Sequence, residues 1–455
     1  MRASSPPPDD KPRPPKTTQE VIVRLLRNLG SRKEVEQYLK QYASIDSQKF
    51  AVIKVGGNIL AKELEALASS LTFLQNVGLY PIVIHGAGPQ LDAALREAGV
   101  ETTRVDGLRV TTARVLEIAR KVFQRENLKL VEALEDLGTR ARPVNAGVLQ
   151  ARLLDFDKLG YVGVVEQVHL DAIESSIRAG QLPIVSCLGE TPSGQIVNVN
   201  ADVAARELAL AIQPFKVVFL TETGGLLDEE GQIVSAVNLA EDFDTLMDQP
   251  WLHGGMRLKI REIKSLLDGL PAASSVSITS PDRLAKELFT HVGSGTLVRR
   301  GDRVMRFDTL EGIDIPRLRG LLEGCFGRVL DADYFEKKPF LRVYLADSYR
   351  ATAIVTHGQG VPYLDKFAVT TQAQGAGVGG SLWKRMRAET PKLYWRARNA
   401  NEIAPWYFQQ AQGSFKDATW TVFWCGLEGW SEIKACVEHA ISLPVTLREH
   451  ALAEV

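Results

Sequence analysis

Tyr80-Pro81-Ile82-Val83-Ile84-His85-Gly86-Ala87-Gly88 runs an apolar strand signal straight into a glycine turn, and that junction decides how the first part of the chain is read. Glycine at such a turn lets bare backbone N–H groups face an anion, and a following helix N-terminus adds partial positive charge. A second junction of this kind lies far downstream, where Tyr363-Leu364-Asp365-Lys366-Phe367-Ala368-Val369 leads into Gln372-Ala373-Gln374-Gly375-Ala376-Gly377-Val378-Gly379-Gly380. The two loops have different charged and aromatic neighbours. Two phosphate cradles in unlike surroundings predict two active sites.

Around the first loop, Phe50–Val55, Pro81–His85, Leu182–Cys187, Lys216–Thr221 and Ser275–Thr279 read as buried strands. Helical periodicity falls near Glu63–Val77, Gln90–Ala98, Thr112–Gln124, Asp171–Ala179, Ala201–Ala211 and Arg257–Leu267. This alternation predicts an α/β fold with a mainly parallel sheet. Leu149–Val168, with Gly160 and Gly163, reads as an inserted hairpin region. The Gly-, Arg- and Ser-rich stretch Gly293–Arg303 marks a boundary, and six of the seven tryptophans follow residue 380. We therefore expect one domain over 45–298, a linker at 299–309 and a second domain over 310–455.

At 455 residues the chain is too long for one ordinary domain, and 45% hydrophobic content supplies ample core. A formal net charge of −1 gives no general affinity for polyanions, so nucleic acid is not an expected partner. Cys187, Cys325, Cys425 and Cys436 show no metal-ligand or disulfide spacing, which fits a reducing compartment. No apolar run approaches the ~20 residues needed to cross a bilayer, and no membrane association is expected. Six of the 21 prolines lie in the first sixteen residues, a composition that predicts a disordered tail over 1–16. It lacks the apolar core of a secretory signal, and Asp9 and Asp10 argue against a transit peptide. We expect a cytoplasmic protein from a bacterium, or a mitochondrial one from a eukaryote. Thr17-Thr18-Gln19-Glu20 and Ser31-Arg32-Lys33-Glu34 have capping-box spacing around Gly30 and predict a kinked helix over 17–44. It either packs on its own domain or forms an arm that contacts a partner copy.

The first glycine loop belongs to an ordered set: Ile53-Lys54-Val55-Gly56-Gly57-Asn58, His85-Gly86-Ala87-Gly88, Val105-Asp106-Gly107-Leu108-Arg109-Val110-Thr111, Asn198-Val199-Asn200-Ala201-Asp202 and Gly254-Gly255-Met256-Arg257-Leu258-Lys259. In that order the motifs resemble the amino-acid kinase family, and within it the N-acetylglutamate kinases, over about residues 50–298. The resemblance implies an α/β/α sandwich and phosphoryl transfer from ATP with Mg²⁺ to the γ-carboxylate of N-acetyl-L-glutamate. A γ-carboxylate is already ionised at pH 7, so no general base is needed and the obstacle is bringing anion to anion. The resemblance assigns Lys54 and Lys259 to phosphoryl oxygens and Asp202 to holding both ammonium groups. Backbone N–H groups at Gly56, Gly57, Gly86 and Ala87 would line the phosphoryl path. Arg109 would clamp the α-carboxylate and Asn198 supply neutral hydrogen bonds. No carboxylate cluster suggests a protein metal cage, so none is assigned. Ala87 stands where the family usually has glycine, and Glu222 where aspartate is common near the nucleotide; both bear on turnover.

Glu287-Leu288-Phe289-Thr290 followed by Gly293-Ser294-Gly295-Thr296-Leu297 resembles the closing signature of the arginine-sensitive kinases. That implies L-arginine as effector, with Glu287 taking its guanidinium and Gly295 offering backbone contacts. Taken alone, Glu287 reads as an exposed helix charge. The 17–44 helix resembles those kinases' N-terminal arm, which implies a homo-oligomer, a tetramer or hexamer.

The second loop resembles the pyrophosphate loop of GCN5-related acetyltransferases, with Gln372, Gln374, Gly375, Gly377, Gly379 and Gly380 implied to hold acetyl-CoA. Tyr394-Trp395-Arg396-Ala397-Arg398-Asn399, Asn401-Glu402-Ile403-Ala404-Pro405-Trp406-Tyr407-Phe408 and Gly413-Ser414-Phe415 extend the likeness to mitochondrial-type N-acetylglutamate synthases, over about 310–445. L-glutamate brings two carboxylates, so cations must receive them: Lys366, Arg396 and Arg398 are the candidates, with Asn401 beside them. Tyr407 is the candidate general acid for the CoA thiolate. On composition alone, Trp406, Tyr407 and Phe408 read as an aromatic core patch. Together the halves imply that the second site makes what the first consumes. Two rivals stay open: a synthase whose first domain only senses arginine, or a kinase whose second domain is regulatory.

Overall fold

A computed structural model describes Tyr38, Leu39, Tyr42 and residues 46–449, apart from residues 253, 291–293, 372, 374–376 and 402, and without the side chains of Ser47, Gly254 and Gly255. The tail expected over 1–16 lies outside the described residues, as does the helix expected over 17–44 except at those three positions. Tyr42 donates a hydrogen bond to the Leu288 carbonyl and meets Phe50 and Phe289 edge to face. The chain divides into two compact units. One contains the described residues up to Ser235 together with Ser265–Leu297, the other Ala236–Lys264 together with the chain from Val298.

In the first unit β1 (Ala51–Val55), β2 (Ile82–His85), β5 (Ala141–Val144), β8 (Leu182–Ser186), β11 (Lys216–Leu220) and β12 (Ser275–Thr279) form a parallel sheet in the order β12-β11-β1-β2-β8-β5. β8, β11 and β12 are buried at every residue, as a sheet covered on both faces requires. On one face Ile53, Val83 and Val218 pack with Leu67 and Leu71 of helix α2 (Leu64–Asn76) and Leu130 and Leu134 of α4 (Ala113–Asp136). Side chains alternate along a strand, so Lys54 faces the other side, where it meets α6 (Ala201–Ile212). Each fully buried aliphatic side chain here contributes roughly 1.5–3 kcal/mol.

Helix α4 runs 24 residues, well past the expected end at Gln124. The pattern breaks at Glu126 and Asn127, which are nevertheless buried. Glu126 pairs with Arg125 and Lys129, while Asn127 Nδ2 donates to the Ile184 carbonyl at 2.8 Å. Polar residues with partners can sit inside, and the binary pattern cannot see the partners. The expected hairpin is β6 (Leu149–Leu153) against β7 (Val162–Val168), closed into a four-stranded barrel by β9 (Leu188–Glu190) and β10 (Ile196–Val199). The chain also forms the short strands β3 (Arg104–Val105) and β4 (Leu108–Arg109) and the helices α1 (Gly57–Lys62), α3 (Gly88–Glu97), α5 (Asp171–Arg178), α7 (Gly254–Asp268) and α8 (Leu284–Phe289).

The second unit holds a seven-stranded sheet of β13 (Val304–Phe307), β15 (Phe340–Ala346), β16 (Ala351–Thr356), β17 (Tyr363–Val369), β18 (Leu393–Arg398), β19 (Gly413–Lys416) and β20 (Trp420–Cys425), in the order β13-β15-β16-β17-β18-β20-β19. β14 (Val329–Leu330) pairs separately with β21 (Leu447–Arg448). Every neighbour in the seven-stranded sheet is antiparallel except β17 and β18. Those two run parallel and pair only at Tyr363 with Tyr394 and Leu364 with Trp395, so the ladder stops midway and the strands part. Against β16, β17 shifts register between Ile354 and Val355, leaving Asp365 as the extra, bulged residue. Helix α10 (Val378–Glu389) follows β17 and buries Leu382, Trp383 and Met386 against the sheet. Further helices of this unit are α9 (Ile315–Phe326), α11 (Ala404–Gln410) and α12 (Trp430–Ser442).

Candidate functional sites

At the C-terminal ends of β1 and β2 the chain turns twice on glycine. A Cβ at Gly57 would lie 2.7 Å from Gln90 Oε1 and from the Pro89 ring, and one at Gly86 would lie 3.1 Å from the Ala201 methyl. Neighbouring side chains fill the space a Cβ would take at Gly57 and crowd it at Gly86. Ala87 has φ −140°, so this turn does not call for the left-handed conformation that favours glycine. Lys54 Nζ lies 2.8 Å from Asp202 Oδ1. Asp202 sits in the first turn of α6, whose N-cap Asn200 accepts from the Asp202 and Val203 N–H groups. A carboxylate is favoured at that helix end, and the cap fixes its position.

Gly86, Ala87, Arg109, Asn198 and Asp202, all expected at one site, line a single cavity of about 170 Å³. That is below the roughly 300–1,000 Å³ of drug-sized sites and suits a small metabolite. Arg109 is buried and donates to Asp92 of α3; Asn198 Nδ2 donates to Thr111 Oγ1 at 3.1 Å. Asp92 carried no sequence signal, being one more polar residue on an amphipathic helix. His85 is wholly buried, and burial lowers its pKa to about 4, leaving it neutral. Cys187 Sγ donates to the His85 carbonyl at 3.1 Å, and burial pushes this thiol up to about 12, so it is no nucleophile. Lys259 is half-buried on α7. Glu222 reaches Lys62 at 2.6 Å and Asn58 at 3.3 Å, and the Lys62 hydrogen bond lowers its pKa.

Glu287 is buried on α8, and its Oε2 accepts the Ser294 and Gly295 N–H groups at 2.9 and 2.8 Å. Reading Glu287 as an exposed helix charge is thereby corrected: the loop folds back on it. A Cβ at Gly295 would lie 2.2 Å from the Ile278 carbonyl oxygen, so only glycine permits that approach.

In the second unit Gln372, Gln374 and Gly375 lie outside the described residues. Gly377 is the N-cap of α10 with φ +77°, and the helix starts at Val378. A Cβ at Gly379 would lie 3.0 Å from Val369 Cγ2. Tyr407 is buried among Trp383, Trp395, Trp406 and Phe423. Burial raises its phenol pKa, so it carries its proton and has one to donate. Asn401 Oδ1 accepts from the Ile403 N–H at 3.3 Å. Arg398 is exposed, with its guanidinium over the Trp420 ring.

Arg396, expected among the substrate cations, donates to the carbonyls of Ala440 in the last turn of α12 and of Leu443 and Pro444 just past its end, at 2.6, 2.8 and 3.0 Å, and stacks on Trp420. Orphan carbonyls at a helix C-terminus attract a cation, and these contacts fix the guanidinium beside β18. Lys366 Nζ bonds Asp365 Oδ2 at 2.5 Å and Thr446 Oγ1 at 2.9 Å. The available signal for Asp365 was a charged pair inside an apolar strand; Tyr334 and Lys338, which also hold it, had none. Among the described residues no group of three or more His, Cys, Asp or Glu is arranged to hold a metal ion, and no helix is long and apolar enough to cross a membrane.

Two family models match the chain: the amino acid kinase family over residues 49–273 and the N-acetyltransferase of N-acetylglutamate synthase over 305–442. An acetylglutamate kinase from Xanthomonas campestris pv. campestris is 53% identical over 424 residues, covering 92% of this chain and 100% of its own length. The mitochondrial N-acetylglutamate synthase of Homo sapiens is 32% identical over 460 residues, covering 98% and 83%. The fold is similar to that of N-acetylglutamate synthase from Neisseria gonorrhoeae complexed with coenzyme A and N-acetyl-glutamate, at 22% identity and TM-score 0.60, covering 87% of this chain and 98% of that one. The same enzyme complexed with coenzyme A and L-arginine gives 21% identity and TM-score 0.55 over the same shares.

Proposed function

Because the chain belongs to the amino acid kinase family in its first half and to the N-acetyltransferases of N-acetylglutamate synthase in its second, we propose one enzyme running two consecutive reactions. It acetylates the α-amine of L-glutamate from acetyl-CoA, and it phosphorylates the γ-carboxylate of N-acetyl-L-glutamate with ATP. The observation that carries the kinase activity is the Lys54–Asp202 ion pair beside two glycine turns. A domain kept only to sense an effector has no use for it.

In the first reaction a neutral amine attacks the thioester carbonyl, the C–S bond breaks, the CoA thiolate takes a proton from Tyr407, and the proton lost by the amine nitrogen restores the phenol. Burial keeps that phenol protonated until a strong base appears beside it. Lys366, Arg396 and Arg398 supply positive charge for the substrate's carboxylates. Gly377, Gly379 and Gly380 at the start of α10, with Gln372, Gln374 and Gly375 before it, hold the pyrophosphate of CoA. In the second reaction two anions must meet, and the protein contributes position and charge. Arg109 takes the α-carboxylate in exchange for Asp92, Asn198 orients the acetamide, and backbone N–H groups from Gly56 to Ala87 receive the phosphoryl oxygens. Lys54 and Lys259 neutralise developing charge, and Mg²⁺ enters as the ATP complex. L-arginine acts at Glu287, competing for the carboxylate that holds the Ser294–Gly295 turn. The chain works as a homo-oligomer, in the cytoplasm of a bacterium or the mitochondrion of a eukaryote.

Asp202→Asn and Lys259→Ala should each lower ATP-dependent phosphorylation of supplied N-acetylglutamate by a factor of ~100 or more while acetyl transfer continues. Phosphorylation at the wild-type rate in either variant removes that residue from the reaction.

A further inference from the structure

In the acetyltransferase unit a carboxylate is sealed among donors. The Asp365 side chain is 6% exposed; Oδ2 accepts from Lys366 Nζ at 2.5 Å and from the Tyr334 hydroxyl at 2.6 Å, and Oδ1 accepts from Lys338 Nζ at 2.9 Å. Lys366 is equally buried, just past the point where β17 and β18 part, and its ammonium lies 5.0 Å from the centre of the Tyr334 ring. The ammonium also donates to Thr446 Oγ1 at 2.9 Å, ahead of β21, and to the Asp365 carbonyl at 3.3 Å. We propose that Asp365 is a positioning residue for acetyl transfer, holding the Lys366 ammonium charged and fixed at the glutamate-binding side of the cleft between β17 and β18. The inference rests on Lys366 binding a substrate carboxylate.

The bulge explains the geometry. In a regular strand, adjacent side chains point to opposite faces and Asp365 could not reach its neighbour's ammonium. The extra residue turns the carboxylate back onto Lys366. Charge completes the argument: one carboxylate faces two ammonium groups, so the cluster keeps a net positive charge for an incoming anion. Burial favours neutral lysine and lowers the Lys366 pKa, with Lys338 and Arg396 adding repulsion; Asp365 alone among these neighbours raises it. For Asp365, burial pushes upward, but Lys366, Lys338 and the Tyr334 hydrogen bond overrule it and hold the carboxyl below the usual range. Without Asp365, Lys366 would lose its proton at a lower pH, and substrate anions would lose their partner as pH rises.

The test uses the full-length enzyme and initial rates of acetyl transfer from pH 6.5 to 9.5. Asp365→Asn should raise KM for glutamate roughly tenfold and leave KM for acetyl-CoA unchanged. The ratio of variant to wild-type kcat/KM for glutamate should fall progressively with pH, a comparison that cancels titration of the substrate amine. Asp365→Glu should restore a pH-independent ratio, and Lys366→Met should raise KM for glutamate equally at every pH. A pH-independent ratio for Asp365→Asn overturns the positioning role. An unchanged glutamate KM in Lys366→Met overturns the assignment of Lys366 itself. Should Asp365→Asn not fold, Asp365→Asn/Lys338→Met, which removes opposite charges together, carries the same pH test.

Discussion

Arg109 and Arg396 are both candidates for a substrate carboxylate, and their surroundings differ. Arg109 pairs with Asp92 on the wall of a cavity, whereas Arg396 donates to backbone carbonyls at the end of α12. The ion pair must be exchanged when substrate arrives; a guanidinium with five N–H donors can hold carbonyls and still meet a carboxylate. His85 shows a cost of the same construction. The folded chain keeps it neutral down to about pH 4, whereas in the unfolded chain it protonates near its ordinary value of 6.5. Stability is therefore lost as pH falls between those values, by about 2 kcal/mol between pH 7 and 5 from this group. Denaturant unfolding at the two pH values checks this: His85→Gln should lose less stability on acidification than the wild type, and an equal loss rejects the assignment.

Among the elements, the starts of helices and the ends of strands do the chemical work. α6 brings Asp202 to Lys54 because Asn200 caps it, and the residue types for both were readable. α10 is set by Gly377 at φ +77°, where an added Cβ meets nothing within 4 Å. The penalty for alanine there is conformational alone, about 1–2 kcal/mol. Gly377→Ala should raise KM for acetyl-CoA severalfold and leave phosphorylation of N-acetylglutamate unchanged; an unaltered KM would show that the turn does not shape the CoA site. The length of α4 was illegible because its second half buries Glu126 and Asn127, whose partners are remote or face outward. The parting of β17 and β18 was illegible too, since both strands keep apolar residues beyond the last paired positions.

At the scale of the whole molecule, one compact unit holds Lys54, Arg109, Asn198 and Asp202 and the other holds Lys259 together with Lys366, Asn401 and Tyr407, and a change confined to the acetyl-transfer residues should leave phosphorylation running. Tyr407→Phe is expected to lower kcat for acetyl transfer ~100-fold or more while the same preparation phosphorylates supplied N-acetylglutamate at the wild-type rate. Unchanged kcat would remove Tyr407 from the acid role. Sequence by itself determined the parallel α/β core, the two glycine junctions and the residue types that convene at each site, because strand periodicity, glycine turns and charge are local properties of a chain. Only the tertiary structure decided what those charges touch. Asp92 on Arg109, Asp365 on Lys366, the Ser294–Gly295 turn on Glu287 and the Ala440 carbonyl on Arg396 are contacts made 7 to 44 residues apart along the chain or across a bulge. A side chain's partner depends on where the backbone carries it, and no local pattern encodes that distance.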